Sequence, residues 1–333
     1  MPGQESGQER AQAAFDWGDY IEALIGERGS LTLVAQHLAE RRAFAEDAAS
    51  VERGLRRLRG RGNKDGGVWG QRLLRCFGLP GAVADRVRWM GQYHTRFTDL
   101  PASLAEELLA PWDRPPISES PARIWVLLGR ASLALRRRQD ARAILEQATL
   151  LATQAEVAAR IELALVQAFT WERVDRAVAD EALDQAGALL EDDGPETDLR
   201  EDDRACLFAR WIDQHAYRLN KPTVGEPDHH GAIALYRRIP EDGPLFARCR
   251  RENGLGWARL RLGEGEQARA HALAGVEAAG DAGSLRMRAM ALNLLAACSE
   301  SDEAEGIRER ARAIARGLED EALLVRFSRV RGS

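Results

Sequence analysis

Few residues in this chain could do acid–base, nucleophilic or metal chemistry, and they are scattered. Asp228, His229 and His230 are adjacent, but they sit in a Pro/Gly-rich stretch with no second ligand cluster nearby, which reads as a solvated loop. Cys206 and His215 fall nine residues apart on one expected helix. At 1.5 Å per residue that is ~13 Å along the axis, too far for a nucleophile–base hydrogen bond. Cys76, Cys206, Cys249 and Cys298 form no Cys-x-x-Cys pair, as expected of free thiols in a reducing compartment. The glycine-rich run Gly60–Gly67 lacks a Gly-Lys-Ser/Thr ending and no apolar strand precedes it, so it is not a phosphate loop. The expectation is a non-catalytic protein without metal or cofactor.

Charge is more informative than catalysis. Residues 51–75 carry eight basic side chains against two acidic ones, whereas residues 151–200 carry four against twelve. Local fields of opposite sign attract different partners. Three readings of the basic run stay open: contact with DNA through Arg53, Arg56, Arg57, Arg59 and Arg61, a solvated basic face, or a surface docked on the acidic residues 151–203.

The elements that must position these groups are helical. Ala, Leu, Arg and Glu abound, aromatics are few, and β-branched runs are missing, which predicts an all-α fold. No run of ~18 apolar residues suggests a membrane span. The polar start, Met1 to Ala14, argues against a secretory signal, so a cytoplasmic protein is expected. Residues 1–12 are expected to fray. A small helical domain is expected over 13–97 and a proline-rich linker over 98–121 with one short helix, Ala102–Leu109. Long amphipathic segments separated by short polar breaks fill 122–333.

Those segments repeat. From Ala122, Trp125, Leu128-Gly129, Ala141, Leu145 and Ala148 fall at positions 4, 7, 8, 20, 24 and 27. From Cys249, Leu255-Gly256, Ala268, Ala272 and Gly275 fall at 7, 8, 20, 24 and 27. This resembles the tetratricopeptide repeat, a 34-residue helical hairpin in which small side chains let the two helices approach. Gly275 departs from the usual Ala. A weaker unit begins near Leu285, with Ala291, Leu295, Ala304 and Ala311, and two degenerate hairpins fall between the stronger units. The resemblance implies an α-solenoid of about five helix pairs, with Glu319 to Val330 as a capping helix. It also implies that Gly129 meets Ala141 and that Gly256 meets Ala268.

Upstream, Val34, Ala35, Leu38 and Ala39 mark one short amphipathic helix. Asp47 would cap a second, whose apolar face is Val51, Leu55 and Leu58. The pair resembles a helix-turn-helix, in which the second helix enters the major groove. The spacing from Ala35 to Val51 is longer than usual, and an alternative register puts Ala43 in the turn. Trp69, Leu73, Leu74 and Phe77 would anchor a third helix.

In the repeat family, first-helix positions 2, 5, 9 and 12 line the concave face. The resemblance places Arg123, Val126, Arg130 and Leu133 there in the first unit, and Arg250, Asn253, Trp257 and Leu260 in the fourth. The fifth adds Arg286 and Asn293. Such a groove suits an extended peptide: asparagine holds its backbone, arginine an acidic group, tryptophan an apolar anchor. The competing reading makes Trp257 core and the arginines merely solvated. Together the resemblances imply a regulator, working as a dimer, whose repeats bind a peptide or protein and whose basic head reads DNA. The alternative is a repeat adaptor that recruits or restrains an effector enzyme without touching DNA.

Overall fold

The computed structural model describes residues 15–41, 46–192, 199–222 and 225–328, and among these it holds seventeen α-helices and no strand. The expected frayed start, Ala43 and Val330 lie outside the described residues. The first four helices are α1 (Trp17–Arg28), α2 (Leu31–Glu40), α3 (Ala48–Arg59) and α4 (Gly67–Phe77). Their starts are written in the caps. Asp16 and Asp19 form a reciprocal capping box on α1, Ser30 caps α2, and Asp47 accepts the Ser50 N–H of α3 at 2.7 Å. Trp17, Tyr20, Ile21 and Leu24 of α1 interlock with Val34, Ala35 and Leu38 of α2, Val51, Leu55 and Leu58 of α3, and Leu73 of α4. The indole N–H of Trp17 donates to the Lys64 carbonyl, so its large apolar body is buried without losing a hydrogen bond.

Helices α5 (Gly81–Gly91) and α6 (Ala102–Leu109) follow, and then α7 (Arg123–Arg136) and α8 (Arg142–Leu151). The helix expected at Ala102–Leu109 is present with those bounds. Its surroundings differ from a linker: Ala102, Ala105, Leu109 and Ile117 are buried in one core with Val87, Met90, Trp125 and Leu128. Prolines break the helices here, yet enough apolar residues remain between them to pack. The break between cores therefore falls near Leu79, ahead of α5, and α5 packs on α7 rather than on α1–α3. The two cores are stitched by the α3–α4 loop. Asn63 donates to the Pro115 carbonyl at 2.7 Å, and the Gly66 N–H donates to Glu119 at 2.9 Å.

The remaining helices pack as successive hairpins: α9 (Val157–Trp171) with α10 (Arg176–Glu191), α11 (Glu201–Asn220) with α12 (His229–Tyr236), α13 (Leu245–Arg261) with α14 (Gly265–Asp281), and α15 (Leu285–Ala297) with α16 (Ser301–Gly317). Gly256 meets its expected partner: a Cβ there would lie 3.3 Å from the Ala268 carbonyl and 2.4 Å from Leu294 of the next hairpin. Gly129 does not. Its nearest neighbours are the Met90 carbonyl and Leu109, so its small size serves the approach of α5 and α6 to α7. The last helix, α17 (Glu321–Ser328), lies within the expected capping segment; it buries Leu323 and Phe327, keeps Glu321, Arg326 and Ser328 exposed, and reaches α7.

Candidate functional site

Between α5 and α6, residues Gln92–Leu100 form a strap with one 3-10 turn, Arg96–Asp99. The strap lies against the first helices of the last three hairpins. Arg210 on α11, Arg286 on α15 and Arg250 on α13 bring their guanidinium carbons 4.6, 4.9 and 5.4 Å from the Tyr93 ring centroid. Each arginine is also held by an acid: Arg210 by Glu162 at 2.5 Å, Arg250 by Asp213 at 2.6 Å, Arg286 by Asp320 at 2.9 Å. Burial alone would raise the Tyr93 hydroxyl pKa, but the three guanidiniums outweigh it and hold the group below the ordinary phenol range.

The strap is fastened along its length. His94 Nε2 meets Asp203 Oδ1 at 2.9 Å, and Arg96 donates to the Ala282 carbonyl. Asp99 accepts the Arg286 backbone N–H at 2.9 Å, at the N-terminus of α15 where a carboxylate is favoured. Phe97 enters the core beside Trp89. A few residues on, Arg136 of α7 and the Ala102 N–H both donate to the Leu318 carbonyl, and Ser103 bonds Glu319 through its N–H and its hydroxyl. The start of the hairpin series is thereby joined to its end. Between the strap and α7 lies a void of about 10 Å³ bordered by Tyr93, Phe97, Ser132 and Arg136, no larger than one water.

The residues expected in the groove fall into three groups. Val126 and Leu133 are core, packed with the strap and α5, because α7 is covered on nearly every side. They do not line an open groove, and that part of the expectation is corrected. Arg123 and Arg130 stay near the surface and share Asp113 at 2.9 and 2.6 Å. Trp257 and Leu260 are half-buried against the last core. Arg250 and Arg286 meet around the Tyr93 ring, and Asn253 and Asn293 are buried on the same two helices, α13 and α15. Asn253 follows Arg250 by three residues and Asn293 follows Arg286 by seven, so each pair shares a helix face. Asn253 is 8% exposed and Asn293 2%, yet the side-chain oxygen of each has no hydrogen-bond partner among the described residues. Arg250 Nε and Arg286 Nη1 are likewise buried without one. The strap itself was missed at the sequence level. Gln92-Tyr93-His94 reads as a helix end, and nothing local signals that residues about 110 to 190 positions later supply its partners.

On α3, the apolar face turns inward and Arg53, Arg56, Arg57 and Arg59 are exposed, as is Arg61 beyond its end. Arg56 pairs with Glu52 and Arg59 with Glu22, while Arg61 donates to the Asp65 carbonyl. The acidic stretch is engaged elsewhere: Glu156 with Arg88, Glu172 with Arg218, Asp203 with His94. Docking of α3 on residues 151–203 is not what the described residues show.

The other reactive side chains have ordinary surroundings. Asp228 caps α12 by accepting the Gly231 N–H, which puts His229 in a helix rather than the expected loop, 3.0 Å from Asn220. Burial pushes the thiols of Cys206 and Cys249 up to about 12. No group of three metal-ligating side chains occurs among the described residues, and no described helix is long and apolar enough to cross a membrane. No protein-family model matches the chain, and neither does any curated protein or solved structure.

Proposed function

We propose that this chain is a non-catalytic regulator: a tetratricopeptide-like array with a basic, helix-turn-helix-like head that contacts duplex DNA, the array receiving a peptide segment of a partner protein. The observation that carries the DNA reading is the outward row Arg53, Arg56 and Arg57 on α3. This helix follows α2 and packs on α1, so its apolar residues are all committed and its basic face is left to solvent. The pairs with Glu52 and Glu22 are exposed, contribute little, and are readily exchanged for phosphate. The partner reading rests on the resemblance of the Leu128-Gly129 and Leu255-Gly256 units to peptide-binding repeats and on the packing of α9–α16 as successive hairpins.

Fluorescence anisotropy of labelled duplex DNA tests the head. The intact protein is expected to bind with micromolar or tighter affinity at low salt, and Arg56→Ala/Arg57→Ala to weaken that binding. If the intact protein does not bind at low salt, the DNA role falls. An adaptor that recruits or restrains an effector enzyme would then be the better account of the array.

A further inference from the structure

Helix α4 carries a second row of basic side chains beside the first. A Cβ at Gly54 of α3 would lie 2.3 Å from the Trp69 ring, so the indole of α4 seats directly on the α3 backbone. Arg72, one turn after Trp69, holds its guanidinium 5.0 Å from the same ring and pairs at 2.9 Å with Glu46, just ahead of α3. Trp69 beside Gly54 and Arg72 beside Glu46 make the two helices antiparallel neighbours. On α3, Arg53 and Arg57 stand to either side of Gly54 in sequence and are exposed. On α4, Leu73 and Leu74 face the head's core. Val68, Gln71 and Arg75 are exposed, at spacings that put them on one face with Arg72. No acid pairs with Arg75 among the described residues. Arg41, which ends α2, is also exposed and near: burial raises the Cys76 thiol, and Arg41 acts against that rise.

Resting on the reading of α3 as a DNA-contacting helix, we infer that α4 is the head's second DNA contact: Arg72 and Arg75 bind backbone phosphates along the edge of the groove that α3 enters. Dimensions support this division of labour. Packed helices lie about 8–10 Å apart, and the major groove is about 12 Å wide, so a neighbour of the inserted helix sits over the groove's phosphate border and not inside it. Guanidinium groups suit that place, because their forked N–H donors match two phosphate oxygens. Arg72 exchanges Glu46 for phosphate, and Glu46 is therefore a competitor that holds the affinity down. Arg75 meets no such competition. Both contacts are to the backbone, so they fix how the head lies on the duplex without reading its sequence.

The test uses the full-length protein and a fluorescein-labelled duplex of arbitrary sequence, about two helical turns long, titrated at several salt concentrations. Arg75→Gln should lower the log–log salt slope by about 0.9, and Arg72→Gln/Arg75→Gln by about 1.8. Glu46→Gln should tighten binding by up to about fivefold, the range that an exposed ion pair spans, and the gain should shrink in an Arg72→Gln background. Arg75→Gln and Glu46→Gln both leave the Arg72–Trp69 stack in place, so a misfolded variant does not imitate either result. Binding weakened by Arg56→Ala/Arg57→Ala but unmoved by Arg75→Gln and by Glu46→Gln would overturn the role of α4 and leave α3 as the contact. No binding by the wild type at low salt would overturn both.

Discussion

Tyr93 is where the chemistry of the inner face is most concentrated. A neutral phenol among three guanidiniums gains by losing its proton, so its pKa is lower in the folded chain than the ~10 of an unfolded one. The sign follows: the contribution to stability is complete above the unfolded value and is lost as pH falls through the folded value. In an ultraviolet pH titration of the native protein, one tyrosine should ionise ahead of the others, and Tyr93→Phe should remove that phase. Tyr20 and Tyr236, both raised by burial, should ionise last. Loss of the early phase in an Arg250→Gln variant would tie it to this cluster; its persistence in Tyr93→Phe would contradict the assignment. Arg250 and Arg286 could be singled out only through the resemblance to the repeat family, which implies that their positions face inward. The sequence could not name Tyr93, whose partners come from three hairpins far along the chain.

Helices were more legible than their contacts. Caps such as Asp47, and the short helix Ala102–Leu109, follow from neighbouring residues, so local chemistry predicts them. What a glycine faces is a tertiary fact, as Gly129 illustrates: its repeat position predicts Ala141, and its nearest neighbours are Met90 and Leu109. The proline-rich stretch misleads for the same reason, since proline ends helices without saying whether the turns between them are buried. Two substitutions separate the roles of glycine. Gly256→Ala pushes a Cβ to within 2.4 Å of Leu294 and should destabilise the protein by about 1–3 kcal/mol in urea titrations. Gly306, within α16, is exposed and has open space around it. Gly306→Ala should stabilise by roughly 0.5–1 kcal/mol through helix propensity alone. Equal effects at both sites would contradict the packing described for α13 and α15.

At the scale of the molecule, the array is tied end to end, and Asp320 is the knot. It is fully buried, accepts from Arg286 and the Leu323 N–H, and faces Arg136. Asp320→Ala leaves two buried guanidiniums short of a countercharge and should cost about 3–5 kcal/mol. Removing the exposed acid Asp85, paired with Arg200 at the surface, should leave the unfolding midpoint unchanged within error. The all-helical class and the charge asymmetry could be read from composition, but closure could not, because the contacts between residues near 100 and 320 have no sequence signature. The basic head rides on this closed body through Asn63 and Gly66, outside the strap and its arginines. The most direct test of the regulator account is therefore the salt dependence of DNA affinity for wild type and for Arg56→Ala/Arg57→Ala. Each phosphate contact contributes about 0.9 to the log–log slope. The account predicts a steep slope for wild type that flattens by about two in the variant. An identical slope in both proteins, or no affinity at low salt, would contradict it.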